Sequence, residues 1–209
     1  MRNVLLWLCT ALVAGTIPAL AEDTMTAQHP TTTQTQTATF AGGCFWCMQP
    51  AFDDLNGVVS TTVGYAGGTE LNPTYEQVSS GHTGHAESIE VVYDPSVITY
   101  ERLLDVFWHN VNPTTSNRQF ADVGRQYRTA IFSHDDEQQR LAKASRDRLA
   151  QSGKFQEPIV TEMMPATRFY PAEEYHQHYY KKNAIRYQLY RIGSGRAAYL
   201  EQTWGQRAH

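Results

Sequence analysis

The chain has 209 residues with 17 basic and 21 acidic side chains, so its formal net charge is −4. No run of Lys and Arg occurs in it, which argues against a nucleic acid as a partner. A chain of this length can bury one substantial hydrophobic core, and it contains no internal repeats, so a single main domain is predicted.

The N-terminal segment predicts export. Arg2 gives a positive start, residues 4–13 are nearly all apolar, and residues 19–21 read Ala-Leu-Ala, the small-x-small pattern of a signal-peptidase site. A membrane anchor is the alternative, but the apolar stretch is short for a span of about 20 residues and Pro18 interrupts its end. We therefore predict cleavage after Ala21, an exported periplasmic or secreted protein, and no stable membrane association afterwards.

The mature chain is predicted to consist of a tether and one domain. Residues 22–36 are rich in Thr and Gln and have no apolar period, which predicts a disordered segment. Residues 37–209 then form the domain. Cys9 leaves with the signal peptide, so Cys44 and Cys47 remain alone in an oxidising compartment.

Strand and helix patterns alternate along the domain. A short strand ends in a glycine pair, a helix over residues 44–55 follows, and two strands with alternating apolar side chains cover residues 58–65 and 87–93. A loop rich in Gly, His and Ser separates those two strands. The later predicted elements are a helix capped by Thr99, a strand over 127–132, a helix from a Ser133–Asp136 capping box to Ser152, a strand over 159–163 and a helix over 172–183.

The order of these elements predicts the fold class. Strand, helix, strand, strand, helix, strand is the split βαβ plan. The expected architecture is α+β, a two-layer sandwich with a mixed sheet around a ferredoxin-like core.

The pair Cys44 and Cys47 is the centre of the predicted site. The glycines Gly42 and Gly43 allow a tight turn from strand to helix, which places Cys44 at the helix N-terminus. Unpaired amide groups there favour a thiolate, so a lowered pKa and a nucleophilic Cys44 are expected. A structural disulfide across three residues would close a very small loop and stabilise the fold little. The spacing therefore favours redox or metal chemistry, without choosing between them.

The residues around this pair resemble the class A peptide-methionine sulfoxide reductases. Gly-Cys-Phe-Trp at the start of a helix is typical of that family, and the resemblance extends over residues 39–205. Five further blocks stand in the family's order: Gly64-Tyr65-Ala66-Gly67-Gly68, Asn72-Pro73-Thr74-Tyr75, Thr83-Gly84-His85-Ala86-Glu87, Gln126-Tyr127-Arg128 and Tyr175-His176-Gln177.

The resemblance implies roles for individual residues. Phe45 and Trp46 match the aromatic wall that receives the S-methyl group of the substrate, and sulfur–aromatic contacts suit that role. Glu87 matches the carboxyl group that hydrogen-bonds to the sulfoxide oxygen. Tyr75 and Tyr127 match two phenols that share the same oxygen.

The strand pattern supports the role of Glu87 independently. Glu87 has the same parity as Ile89, Val91 and Tyr93, so it is expected at the end of an apolar face, where desolvation raises a carboxyl pKa and keeps the group protonated. Without the family match, a solvated carboxylate at a strand end would be the preferred interpretation. Asp122 matches a pocket aspartate of the family, although the sequence around it follows the pattern less strictly.

The mechanism implied by the resemblance uses both thiols and no cofactor or metal. Cys44 attacks the sulfoxide sulfur and becomes a sulfenic acid, Cys47 resolves it as a disulfide, and a thioredoxin-like dithiol reduces that disulfide. The family acts on the S epimer. The implied partners are oxidised proteins that carry methionine sulfoxide and the reductant, and a monomer is expected.

Two alternatives stay open from the residues alone. A general thiol-disulfide oxidoreductase of the thioredoxin kind also places a CxxC sequence at a helix start, but the element order fits it poorly. A zinc-binding module is the second alternative, since Cys44, Cys47, His82 and His85 have suitable ligand types.

Overall fold

The computed structural model describes residues 34–205. The predicted signal peptide and residues 22–33 of the predicted tether lie outside these residues. The first strand begins at Gln36, one residue before the predicted start of the domain. No helix within residues 34–205 is long and apolar enough to cross a membrane.

Six strands form one mixed sheet in the order β7-β6-β1-β3-β2-β8, and β4 and β5 form a separate two-stranded sheet. All neighbours in the large sheet are antiparallel except β6 and β7, which are parallel. The strands are β1 Gln36–Gly42, β2 Val58–Ala66, β3 Ala86–Tyr93, β4 Arg118–Gln119, β5 Asp122–Val123, β6 Thr129–Ser133, β7 Glu162–Pro165 and β8 Tyr170–Pro171.

Seven α-helices occur within the described residues, and the longest is α4. Two short 3₁₀ segments accompany them, at Arg125–Tyr127 and Glu174–His176. The helices are α1 Phe45–Asp53, α2 Tyr75–Ser79, α3 Tyr100–Trp108, α4 Asp136–Gln151, α5 Tyr179–Lys182, α6 Ala184–Gly193 and α7 Arg196–Trp204.

The predicted split βαβ core is confirmed. Strand β3 lies between β1 and β2 and is antiparallel to both, and β6 joins the other side of β1, as in a ferredoxin-like sheet. Helices α1, α3 and α4 all pack on the sheet face formed by Phe40, Ile89, Val91 and Ile131. The fold is therefore a two-layer α+β sandwich, and α1 lies over β3, where Glu87 begins the apolar face.

Helix α3 shows why this layer forms. Its buried side chains Leu103, Leu104 and Phe107 recur at helical spacing and cover the sheet. The predicted cap is confirmed, because the Thr99 hydroxyl accepts a hydrogen bond from the Arg102 amide. The Trp108 indole also donates to Ser145 Oγ at 2.8 Å, which ties α3 to α4.

Several predicted element boundaries are wrong. Ser133 ends β6, and the cap of α4 is instead Asp135, whose carboxylate accepts from the Gln138 amide. Tyr127 lies in a 3₁₀ turn, because Gly124 with φ +139° bends the chain before β6 starts at residue 129. The strand predicted over 159–163 occupies Glu162–Pro165. Helix α2, with a full Thr74–Gln77 capping box, lies in a segment for which a loop was predicted.

The helix predicted over residues 172–183 is also wrong, because tertiary contacts divide it. The Gln177 side chain pairs with both backbone groups of Val63, at 2.9 Å and 2.8 Å, which holds this segment against the sheet edge. His178 then takes a left-handed conformation with φ +49°, and its ring bonds to Asp53 on α1. A short α5 follows this break, and α6 and α7 continue beyond it.

Candidate active site

The glycine pair brings the end of β1 unusually close to helix α1 and strand β4. A Cβ atom at Gly42 would lie 2.5 Å from the Met48 sulfur, and one at Gly43 would lie 2.4 Å from Gln119 Cβ. Gly43 also has φ +78°, a conformation that side-chain-bearing residues avoid. The turn therefore delivers Cys44 to the N-cap position of α1, as predicted.

Cys44 and Cys47 are free thiols that lie under the protein surface, with 7% and 4% of their area exposed. The Cys47 amide donates to the Cys44 carbonyl at 3.0 Å in the first turn of the helix, and the two thiols share a hydrogen bond. The pair is thus close enough for a disulfide to form after a modest local change.

The expected lowering of the Cys44 pKa is wrong. Burial raises the pKa of the Cys44 thiol well above its ordinary value, the hydrogen bond with Cys47 adds to this, and the nearby carboxyl groups of Glu87 and Asp122 add further. The pKa of Cys47 is lowered by the hydrogen bond from Cys44 and by the charges of Arg196 and Arg191, against the effect of burial. The helix N-terminus alone does not decide the charge of the first thiol.

Glu87 is the buried carboxyl group of the site. It is 2% exposed and continues the buried side of β3, as its strand parity predicted. The Phe45 amide donates to its Oε2 at 3.1 Å, which fixes the carboxyl group at the start of α1. Burial raises the pKa of Glu87 to about 8, so the group is mostly protonated at neutral pH and its Oε1 is available to donate.

Two phenols and a second carboxyl group surround the same point. Tyr75 and Tyr127 are half-buried, and burial together with the charge of Glu87 raises the pKa of both phenols. They therefore remain hydrogen-bond donors throughout the physiological range. Asp122 on β5 accepts from the Tyr190 hydroxyl, and burial raises its pKa. The charges of Glu87 and Asp122 act on both phenols and on the Cys44 thiol, so these side chains lie near one another.

An aromatic cluster forms the apolar side of the site. The Trp46 indole stacks on Tyr179 with ring centroids 3.8 Å apart and planes 6° apart, and it donates to His176 Nδ1 at 2.9 Å. The Phe45 ring packs between Tyr65 and His176, with centroid distances of 6.1 Å and 5.2 Å. These contacts hold Phe45 and Trp46 rigidly beside Cys44.

Glu173 and His176 are site residues without a role assigned from the sequence. Glu173 accepts from the Tyr65 hydroxyl at 2.7 Å and from the Tyr75 amide at 3.0 Å, so it positions the loop that carries the Tyr75 phenol. His176 lies 4.2 Å from Tyr75 between ring centroids, and its Nε2 is buried without a partner among the described residues. The Tyr175-His176-Gln177 block was the available signal for His176, and Glu173 lies two positions before it.

Arg196 was also missed, although it is the buried cation of the site. Its guanidinium donates to the Gly42 carbonyl at 2.8 Å and to the Asn110 carbonyl at 2.6 Å, and it lies over the Phe120 ring at 4.6 Å. Only 2% of the residue is exposed, and it has no ion pair within the described residues. Its charge therefore acts on the neighbouring Cys47 thiol and on Asp122.

The histidines of the zinc alternative have other contacts. The Gly68 amide donates to His85 Nδ1 at 3.3 Å, so His85 Nε2 carries the proton that bonds to the Glu70 carbonyl at 2.9 Å. His82 is exposed and bonds to Ser80. Within residues 34–205, no group of three or more His, Cys, Asp or Glu side chains is arranged to hold a metal ion.

The site combines two thiols at a helix start with a protonated carboxyl group, two phenols and an aromatic wall. Such a site suits a thiol-dependent oxidoreductase whose substrate carries a polar oxygen next to an apolar group. Comparison with known proteins agrees with this class. The sequence profile of the family described as peptide methionine sulfoxide reductase matches residues 36–208.

Characterised relatives and solved structures share most of the domain. The peptide methionine sulfoxide reductase MsrA of Bacillus pumilus is 52% identical over 171 residues, which cover 82% of this chain and 96% of that protein. The Bacillus subtilis MsrA is 53% identical over 170 residues, which cover 81% and 96%. The reduced form of Mxr1 from Saccharomyces cerevisiae matches with a TM-score of 0.66 and 39% identity, covering 72% of this chain and 87% of that one. Methionine sulfoxide reductase A of Corynebacterium diphtheriae matches with a TM-score of 0.64 and 36% identity, covering 72% and 76%.

The chain therefore belongs to the peptide methionine sulfoxide reductase family. The resemblance inferred from the sequence is confirmed, and so is the predicted enzyme class. The general thiol-disulfide oxidoreductase and the zinc-binding module are set aside on this ground.

Proposed function

We propose that this enzyme reduces the S epimer of methionine sulfoxide, in oxidised proteins and as the free amino acid, with Cys44 as the nucleophile. The observation that carries the proposal is the position of Glu87. Its buried carboxyl group, with a pKa raised to about 8, is held by the Phe45 amide one residue after Cys44. A neutral acid beside a buried thiol is the arrangement needed to protonate an oxygen while sulfur attacks its neighbour.

The pocket offers complementary contacts for each part of a methyl sulfoxide. The oxygen accepts hydrogen bonds from Glu87 Oε1 and from the phenols of Tyr75 and Tyr127, all of which keep their protons at neutral pH. The S-methyl group lies against Phe45 and Trp46, where apolar contact and sulfur–aromatic attraction favour it. Because the two kinds of contact occupy fixed places around Cys44, one configuration at sulfur fits better than its mirror image.

The first half-reaction transfers the oxygen from substrate to enzyme. The raised pKa of Cys44 keeps it a thiol until a sulfoxide is bound, when its proton and that of Glu87 are drawn towards the oxygen. The Cys44 sulfur bonds to the sulfoxide sulfur, and the protonated oxygen moves to the Cys44 sulfur as the sulfur–oxygen bond of the substrate breaks. The sulfur–sulfur bond then breaks with its electron pair on the substrate sulfur, methionine leaves, and one proton returns to Glu87. The products are methionine and a Cys44 sulfenic acid, so the substrate gains two electrons and Cys44 loses two.

The second half-reaction restores the thiols. The Cys47 sulfur, whose pKa is lowered by its neighbours, attacks the Cys44 sulfenic acid, forms the disulfide and releases water. A thioredoxin-like dithiol then reduces the disulfide by two electrons. All of these residues belong to one chain, which supports a monomer as the working unit.

We further propose that the enzyme works outside the cytoplasm. The profile of the family begins at residue 36, so the signal-like segment and the Thr/Gln-rich stretch stand in addition to the catalytic domain. Mass spectrometry of protein recovered from the periplasm or medium should give a mature chain that starts at Glu22. A chain that keeps residues 1–21 and stays with the membrane would contradict cleavage.

Epimer choice tests the proposed reaction. With racemic N-acetylmethionine sulfoxide and excess dithiothreitol, consumption should stop near one half and leave the R epimer, which chiral chromatography resolves. Consumption of both epimers at similar rates would show that the pocket does not orient the sulfoxide as proposed. The Cys44→Ser variant serves as the inactive control.

A further inference from the structure

A buried carboxylate stands at the end of α1 away from the thiols. Asp53 is the last residue of this helix, and only 6% of its side chain is exposed. It accepts hydrogen bonds from the Thr61 hydroxyl on β2, from His178 Nδ1 at 2.8 Å and from the Tyr180 hydroxyl at 2.6 Å. Burial acts to raise the pKa of Asp53, but these hydrogen bonds hold it below its usual value, so the group is a carboxylate. The mechanism above gives this buried charge no role.

Gln49 adds a second set of contacts one turn earlier on α1. The residue is fully buried, its side-chain amide donates to Thr61 Oγ at 3.0 Å, and its side-chain oxygen accepts from the His178 backbone amide at 2.7 Å. Gln49 and Asp53 are four positions apart, so they lie on one face of the helix. These two side chains, with Thr61 and His178, are called the Asp53 network below. The network holds His178 both by its backbone and by its ring.

His178 adopts a conformation that requires such support. Its φ of +49° lies in the left-handed region, which residues with a β-carbon avoid. The turn lies directly between Gln177, which pairs with Val63 of β2, and Tyr179, which begins α5. The Asp53 network therefore determines where the Tyr179 ring lies relative to α1.

Tyr179 transmits this position to the sulfoxide pocket. Its ring is 6% exposed, stacks on the Trp46 indole and packs in one cluster with Cys47. Because the two ring planes are only 6° apart at a centroid distance of 3.8 Å, a shift or tilt of Tyr179 must move the indole with it. Trp46 is the wall against which the S-methyl group is proposed to lie.

We propose that Asp53 is a positioning residue that restricts the alkyl group on the sulfoxide sulfur to methyl. It acts through His178 and Tyr179, which hold the Trp46 wall at the distance from Cys44 that a methyl group fills. Asp53 lies nine positions after Cys44, about 13 Å along the helix axis, so it does not touch the reacting atoms. The inference rests on the proposed contact of the S-methyl group with Trp46, and it adds what sets the size of that space.

Alkyl-group selectivity tests this role. The substrates are N-acetylmethionine sulfoxide and N-acetylethionine sulfoxide, which has one more methylene on sulfur, and dithiothreitol is the reductant for both. In Asp53→Asn an amide nitrogen replaces one carboxylate oxygen, so the donors that face Asp53 lose an acceptor. The KM for the methyl substrate should rise about tenfold, while kcat changes less than about threefold. The methyl-over-ethyl ratio of kcat/KM should fall about tenfold, since a methylene in a fitted pocket is worth at least that factor.

Two substitutions of His178 separate the hydrogen bond from the backbone conformation. His178→Gly favours the left-handed turn but has no ring to bond to Asp53, so it should lower the methyl-over-ethyl ratio as Asp53→Asn does. His178→Asn also tolerates the left-handed turn and places an amide donor where Nδ1 stood, so the ratio should stay within about threefold of wild type. These variants also decide the question if Asp53→Asn fails to fold.

Asp135→Ala is the control for stability. It removes the cap of α4 and weakens the fold without touching the Asp53 network, so the methyl-over-ethyl ratio should stay within about twofold of wild type. An unchanged ratio in Asp53→Asn and His178→Gly overturns the proposal, and so does an equal fall in Asp135→Ala. Failure of the proposed function would look different, because the wild type itself would then show no preference for methyl over ethyl.

Discussion

The two cysteines of α1 stand one helical turn apart in opposite electrostatic surroundings. Burial raises the pKa of Cys44, and the carboxyl groups of Glu87 and Asp122 raise it further. The hydrogen bond from Cys44 lowers the pKa of Cys47 against the effect of burial, and the guanidinium groups of Arg196 and Arg191 lower it further. The difference divides the reaction between the Glu87 side, which is the surroundings of Cys44, and the Arg196 side, which is the surroundings of Cys47. On the Glu87 side protons are kept available for a departing oxygen, and on the Arg196 side negative charge on sulfur is stabilised.

Loss of the second thiol should produce the largest effect. Cys47→Ser should release about one methionine per enzyme in a single turnover and then stop as a Cys44 sulfenic acid, because no other cysteine is present in the predicted mature chain. Steady turnover with thioredoxin should fall to background, and a sulfenic-acid probe should label Cys44. Wild-type turnover of this variant with thioredoxin would show that Cys47 does not resolve the intermediate.

Removal of the acidic proton of Glu87 should give the next largest effect. Glu87→Gln keeps a hydrogen-bond donor but cannot transfer a proton, so the single-turnover rate should fall by about two to four orders of magnitude, with little change in peptide binding. In the wild type, the rate should fall as pH rises through about 8, where Glu87 loses its proton, and this limb should be absent from the variant. Stopped-flow kinetics over a pH series measures both effects.

The stability of the same variant provides its control. A carboxyl group with a raised pKa favours folding at low pH, and that contribution is lost as pH rises from its ordinary value towards the folded value near 8. The Glu87→Gln side chain cannot ionise, so the variant does not lose this stability as pH rises. It should therefore melt at a higher temperature than wild type at pH 9. A variant that is both slow and unstable at that pH would indicate a damaged fold instead of a missing acid.

Removal of the positive charge from the Cys47 side should have a smaller effect. In a Cys44→Ser background, Arg196→Met should shift the pH midpoint of Cys47 alkylation by iodoacetamide upwards, because the guanidinium lowers the pKa of this thiol. Alkylation at neutral pH should slow about tenfold. Arg196→Lys keeps a charge and should restore part of the shift, and Arg186→Met on the exposed face of α6 should change nothing. If the pH midpoint of alkylation is unchanged and the melting temperature is lowered, Arg196 has only a structural role.

The smallest effect is expected at the contact between the two sides. Tyr190→Phe removes the hydroxyl that donates a hydrogen bond to Asp122, so this carboxyl group is held less firmly in the pocket. The loss of one hydrogen bond, about 1 kcal/mol, should lower kcat/KM for a sulfoxide peptide about fivefold. Tyr100→Phe is the matched control, because the Tyr100 hydroxyl is buried in the α3 layer without a hydrogen-bond partner among residues 34–205. Equal activity of both variants would show that Asp122 needs no partner on α6.

The Glu87 side was the more predictable of the two, for a physical reason. The alternation of Ile89, Val91 and Tyr93 is a local signal that places Glu87 on the apolar side of β3, and the family resemblance was needed to predict that it is buried next to the thiol. The protonation state of Cys44 could not be predicted in the same way. A rule based on the helix N-terminus ignores burial and the nearby Asp122, which comes from a strand 78 positions later in the chain.

The Arg196 side depends on contacts that no local pattern contains. Arg196 reaches Gly42 across 154 positions, and His178 breaks the expected last helix through its bond to Asp53 across 125. Helices α6 and α7 have exposed apolar residues and few buried ones, so their periodicity is weak. The burial of the Arg196 guanidinium at the site could be recognised only after the fold had placed α7 beside β1.

The reach of Arg196 also sets an order of events during synthesis. The thiols and Glu87 leave the ribosome more than 100 residues before the guanidinium that binds the Gly42 carbonyl. Until α7 docks, the nascent chain holds both cysteines without the cation that stabilises sulfur charge at Cys47. A chain interrupted before Arg196 therefore carries every residue of the N-terminal motif but lacks the guanidinium that binds the Gly42 carbonyl and lowers the pKa of Cys47.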